Sequence, residues 1–190
     1  MTKDEFMTLV LEGKPIEGGS EAHKILVEYS NEAMKITAEL NGSYHAPEEV
    51  NKLFSKLIGK EVDNTFFMFP PFYTDFGKNI TVGKNVFFNT GCSFQDRGGI
   101  TIGDGTQIGM NVTIATLNHG FDLKTRNTTY PSPVIIGKNV WIGSNVTIVP
   151  GAVIGDNSVI AAGAVVKGTI PENVVAAGCP AKVIRNIEVE

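Results

Sequence analysis

Hydrophobic residues recur every six positions through the second half of this chain, at Ile136, Ile142, Ile148, Ile154, Ile160 and Val166. A small residue usually follows (Gly137, Gly143, Gly155, Ala161), and a second small or β-branched residue stands three places after it (Val140, Val146, Ala152, Ser158, Ala164). A period of six matches neither a helix at 3.6 nor a plain alternating strand. It does match a short strand plus a tight corner, repeated three times per coil. The pattern predicts a parallel β-helix. Its aliphatic side chains fill a triangular prism, and its coils hydrogen-bond to one another at the strand spacing of roughly 4.8 Å. Each coil needs neighbours to bury its core.

Toward the N-terminus the step continues with two interruptions. Val82, Phe88 and Phe94 keep it, two extra residues enter near Gly98-Gly99, and Ile102, Ile108 and Ile114 resume it. The next repeat position is Ile136, 22 residues on and so not a multiple of six. Between them lies a polar segment, residues 118–133, read as a loop that leaves the prism. Long loops in compact repeat domains are more often functional than not.

The first 60 residues follow a helical period and form an expected N-terminal cap. Thr2-Lys3-Asp4-Glu5 is a capping-box pattern ahead of Phe6, Leu9 and Val10, with Gly13 as a stop. Ser20 is placed to cap a second helix carrying Ala22, Leu26, Tyr29, Ala33, Ile36 and Leu40. Pro47 suits the first turn of a third, with Val50, Leu53, Phe54 and Leu57 on one face and Gly59 after it. The organisation predicted is a helical cap over 1–60, a connecting segment over 61–79 whose aromatics pack the junction, and a β-helix over 80–187. The cap covers the open end of the prism, and it is also a candidate wall of a binding site.

With 42% hydrophobic and 19% charged residues, the chain of 190 reads as an ordinary globular protein. No apolar run is long enough to span a bilayer and no secretory leader pattern opens the chain, so the expected address is cytoplasmic with no membrane partner. The net charge of −4 divides as −5 over residues 1–70 and +1 over the rest, which offers no basic face for nucleic acid. Cys92 and Cys179 are too few for a disulfide framework and read as reduced filler.

An aliphatic prism carries no nucleophile, acid or base, so chemistry must sit on its outside. His23 and His45 fall in the cap, where solvated or capping roles suffice. His119 stands where the loop departs, a position open both to a plain surface role and to a general base. A zinc centre on a prism of this kind needs three imidazoles around one ion, and the repeat region holds one, so no metal is expected.

The chain resembles the maltose/galactoside-type sugar O-acetyltransferases, a branch of the hexapeptide-repeat acyltransferases. The resemblance covers essentially residues 70–187. Its carriers are Asp75-Phe76-Gly77, Asn89 in Phe-Phe-Asn-Thr, Asn118-His119-Gly120, Asn139-Val140-Trp141-Ile142-Gly143-Ser144, and Ala177-Gly178-Cys179-Pro180-Ala181-Lys182-Val183-Ile184. The resemblance implies a left-handed β-helix, a homotrimer with sites between subunits, and a loop 118–133 that reaches a neighbour. It implies acetyl-CoA as co-substrate and direct attack by a sugar hydroxyl, with His119 as the general base. Asn89, Asp75 and Asp96 fall at or near acceptor-contacting positions, Trp141 beside the pocket, and Ser144 near the thioester. Ala162 falls where backbone contacts the pantetheine arm, Lys182 and Arg185 match basic positions near the CoA phosphates, and Lys167 is where a side-chain contact to CoA would shift. The chain departs from the family pattern at Arg97, where a second acidic residue is common, at Gly18 beside Glu17, and at Lys167-Gly168 in place of Thr-Lys. The alternatives are an amine or antibiotic-hydroxyl acceptor, and a non-catalytic structural trimer.

Overall fold

The computed structural model describes residues 1–188. Three helices precede a parallel β-solenoid of about six turns. Helix α1 (Lys3–Leu11) opens with the reciprocal capping box between Thr2 and Glu5. Helix α2 (Glu21–Gly42) is capped by the Ser20 side chain, which accepts from the His23 N–H. Helix α3 (Pro47–Ile58) begins with Pro47 and stops at Gly59 in the left-handed region, φ 69°. These boundaries follow from residues that satisfy, start or end the backbone hydrogen-bond ladder.

The six-residue step becomes three flat faces. On the first, Met68, Phe88, Ile108, Ile142, Ile160 and Ala176 stack in parallel register. On the second, Thr74, Phe94, Ile114, Ile148 and Val166 do so. On the third, Val82, Ile102, Ile136, Ile154 and Ile170 complete the prism. The second small position of each hexad is buried too: Val140, Val146, Ala152, Ser158 and Ala164 are all at most 1% exposed. Corners are turned by asparagines at positive φ, including Asn139, Asn145, Asn157 and Asn173, a conformation this residue tolerates better than most. Three of them add a side-chain ladder, in which Asn139 donates to Asn157 at 3.2 Å and Asn157 to Asn173 at 2.8 Å.

The cap covers the lower end of the prism in two ways. Phe54 and Leu57 of α3 join the prism core, where Phe54 stacks on Phe66 with ring centroids 4.8 Å apart and meets Phe88 edge-on. Helices α1 and α2 build a separate core of Phe6, Val10, Ile16, Ala22 and Ile25 around Phe76.

Segment 118–133 is more ordered than a polar loop. It forms a hairpin, Leu117–His119 against Thr128–Pro131, and the second strand pairs with Ile16–Glu17 from the N-terminal region. Ile136 then resumes in register with Ile102. The insertion therefore leaves the prism at the corner between the second and third faces and returns without shifting the stack.

Candidate functional site

Two surface features of the prism and the hairpin hold the residues that the sequence singles out. The first is a trough of about 410 Å³ along the first face, lined by Phe87, Asn89, Gln107, Gly109, Trp141, Ser144 and Ala162 among others. It exists because the residue after three successive first-face strands is small: Gly109, Gly143 and Ala161. A Cβ on Gly143 would stand 2.5 Å from the Ala162 backbone nitrogen, and one on Gly109 would stand 2.7 Å from that of Ser144. Glycine there lets adjacent coils close while leaving the groove open.

Within the trough, polar groups have defined roles. Ser144 Oγ accepts the Met110 N–H at 3.2 Å, which leaves the hydroxyl proton free to donate elsewhere. Asn89 is half-buried, and its Oδ1 accepts the Thr90 N–H at 2.8 Å. Trp141 is 59% exposed and stands on the trough wall. Below Asn89 lies Cys92, fully buried, whose Sγ donates to the Asn89 carbonyl at 3.1 Å. Burial pushes its thiol pKa up to about 11. At neutral pH it stays a thiol and is no nucleophile.

The same sheet continues upward through Val174–Gly178 to the antiparallel strand Ala181–Asn186, which carries Lys182 and Arg185, both exposed. From Asn89 to these cations the sheet climbs five strand spacings, roughly 24 Å at about 4.8 Å each. Lys167 is also exposed, beside Gly168 at φ 71°.

The second feature is a basin of about 530 Å³ on the second face, lined by Tyr73, Asp75, Ser93 and Gln95 with Ser30 and Met34 of α2. The cap thus forms one of its walls. Asp75 has its pKa raised to about 7, first by burial and then by the charge of Asp96, with the N–H of Asp96 on Oδ1 pulling the other way. Asp96 is wholly buried. Its Oδ1 accepts from Thr74 Oγ1 at 2.5 Å and the Gly77 N–H at 2.8 Å, and its Oδ2 accepts from the Asn79 N–H at 3.0 Å. These contacts tie it to the corner beneath the basin, and its pKa is raised by burial.

The hairpin carries His119, which is exposed. Its Nδ1 lies 2.8 Å from the Arg126 carbonyl oxygen. A carbonyl only accepts, so Nδ1 carries a proton, and in the neutral ring the lone pair then lies on Nε2. The Arg126 guanidinium ties the same turn by donating to the carbonyls of Gly120 and Phe121, both at 2.9 Å.

One chain therefore keeps these residues in separate places. Asn89, Trp141, Ser144 and Ala162 share the trough, Asp75 faces the basin, and His119 lines neither. The other histidines serve the cap, where His45 takes up the Glu39 carbonyl and Glu49, a pairing that raises its pKa. Sequence reasoning missed Gln107 and Gly109 in the trough and the Arg126 carbonyl behind His119. The small-residue step marks Gly109, whereas a backbone acceptor leaves no trace in a sequence. Among the described residues no three His, Cys, Asp or Glu side chains converge as a metal site, and no helix is long and apolar enough to cross a membrane.

Comparison with known proteins gives this geometry its relatives. Residues 133–168 match the family described as bacterial transferase hexapeptide (six repeats), and residues 79–115 match the hexapeptide repeat of succinyl-transferase. A galactoside O-acetyltransferase of Escherichia coli K12 is 42% identical over 151 residues, covering 78% of this chain and 74% of its own length. A maltose O-acetyltransferase from Clostridium difficile 630 superposes with a TM-score of 0.88 at 39% identity, covering 100% of this chain and 99% of its own. A hexapeptide-repeat containing acetyltransferase of Vibrio cholerae, complexed with acetyl coenzyme A, does so with a TM-score of 0.83 at 30% identity and full coverage of both chains. A six-residue repeat, a small-residue trough along one prism face and these likenesses agree: the chain belongs to the hexapeptide-repeat acyltransferases, in the branch of the galactoside and maltose O-acetyltransferases.

Proposed function

We propose that this protein transfers the acetyl group of acetyl-CoA to a hydroxyl of a sugar, in a homotrimer whose sites lie between subunits, with His119 as the general base. A sugar hydroxyl is a poor nucleophile until its proton is taken during attack. The lone pair of His119 Nε2, fixed by the Nδ1 contact to the Arg126 carbonyl, is the group suited to take it. That contact is the observation that carries the reading.

The thioester carbonyl gains negative charge as the hydroxyl oxygen adds to it. The free proton of the Ser144 hydroxyl is available to that oxygen, a type of donation worth roughly 2.7 to 4 kcal/mol in other enzymes. Collapse breaks the C–S bond, and the proton held on Nε2 passes to the departing sulfur. The neutral, buried Cys92 favours this direct route over an acyl-enzyme. Lys182 and Arg185, at the head of the first-face sheet, suit the phosphates of the donor, and the trough below them suits its narrow arm.

The trimer is supported by what one chain leaves incomplete. His119 is absent from the trough lining, and the hairpin tip exposes Phe121 at 95% and Leu123 at 85%. Apolar tips of this kind are expected to find cover on a neighbouring copy. The test is acetyl-CoA turnover over a panel of sugars, extended to amines and antibiotic hydroxyls. Turnover with sugars is expected, and His119→Ala should lose about 10²- to 10⁴-fold. An unchanged rate in that variant would sink the base assignment, and turnover confined to amines would sink the sugar.

A further inference from the structure

Arg97 is 1% exposed, yet it is a guanidinium with five N–H donors and a charge it does not give up. Its Nη2 donates to Thr129 Oγ1 at 2.5 Å, while Nε and Nη1 are buried without a hydrogen-bond partner. Unpaired buried donors cost stability, so each such group in a native protein calls for an explanation, and a functional role is one. Arg97 sits in the corner lengthened near Gly98-Gly99, whose Gly98 N–H is anchored on Thr116 Oγ1 at 2.8 Å.

Its two neighbours indicate the function. Thr129 is the cross-strand partner of His119 in the hairpin, and directly opposed residues of an antiparallel pair project from the same face. Thr129 also pairs with Ile16 and donates through Oγ1 to the Ile16 carbonyl at 3.2 Å. On the other side, burial lowers the guanidinium's pKa, and the nearby Asp75 carboxylate opposes that by favouring the charged form. Asp75 lines the second-face basin. Arg97 therefore lies between the wall of that basin and the strand pair that carries His119.

We propose that Arg97 is a positioning residue for His119: its guanidinium pins Thr129 and so sets where the imidazole stands relative to the basin wall that carries Asp75. The proposal rests on the reading of His119 as base. It implies that the fold gives up stability at Arg97 in exchange for placement of the hairpin. Arg97→Met keeps the bulk of the stem and removes both the charge and the orphaned donors.

The experiment measures steady-state rates and thermal melting of Arg97→Met, Arg97→Lys and Thr129→Val, with the Arg97→Met change repeated in a His119→Ala background. Arg97→Met should lose about 10- to 100-fold in kcat, the scale of a misplaced catalytic group, with the KM for acetyl-CoA nearly unchanged and a melting temperature at or above wild type. Thr129→Val should lose kcat in the same way, and Arg97→Lys should recover part of it. With His119 already removed, Arg97→Met should cost no further rate, since residues that act as a unit are not additive. Wild-type kcat in Arg97→Met, or the same fold loss with and without His119, overturns the proposal. So does failure of Arg97→Met to fold, because it contradicts the stability cost, and Thr129→Val then still reads the rate. A His119→Ala enzyme at full rate overturns the base reading instead, a result distinct from all of these.

Discussion

At the scale of single residues, the titration of Asp75 gives the most direct handle on the second-face basin. Its folded-state pKa is about 7, against a usual carboxyl value of 3.8. The folded protein thus holds this proton more tightly than the unfolded chain, so the contribution is present at low pH and lost as pH rises from about 4 to about 7. Asp75→Asn is neutral throughout. Its melting temperature relative to wild type should climb across that window and level off above it, as followed by calorimetry at a series of pH values. A flat difference would contradict the assignment of this shift to Asp75. None of this was legible in the sequence. Asp75 and Asp96 are 21 residues apart along the chain and meet only because the prism returns on itself. Cys92 is the opposite case: its small and apolar neighbours already indicated an unreactive thiol, and its burial agrees.

At the scale of the element, the hexad corner governs both stacking and the trough. Gly143→Ala places a Cβ against the backbone nitrogen of Ala162, which cannot swing aside as the end of a side chain can. Overpacking of this kind costs about 1–3 kcal/mol, or about 2–4 °C of melting temperature per kcal/mol in a protein of this size. The same methyl narrows the groove, so the KM for acetyl-CoA should rise together with the loss of stability. A stability loss with an unchanged KM would show that the donor binds elsewhere. The repeats, the three helices and their caps were readable because each rests on a local period or a capping residue. The hairpin was not. Its strands span Leu117–His119 and Thr128–Pro131, too short for any period to show, and its outer partner Ile16–Glu17 lies more than 100 residues away. Polar composition marked the segment only as a departure from the prism.

At the scale of the whole molecule, one chain keeps the trough apart from His119, the proposed base. In the proposed homotrimer each interface would bring together the first face of one protomer and the hairpin of the next. The site is then shared between protomers. This sharing is tested most directly by unfolding, mixing and refolding two inactive variants, His119→Ala and Asn89→Ala, and measuring acetyl-CoA turnover of the mixture. In a shared site, every mixed trimer regains one interface with both residues intact. Random assembly of equal amounts then recovers about a quarter of wild-type activity. Trimers that mix fully yet stay as inactive as either parent would contradict the account, because they would place the whole site within a single chain.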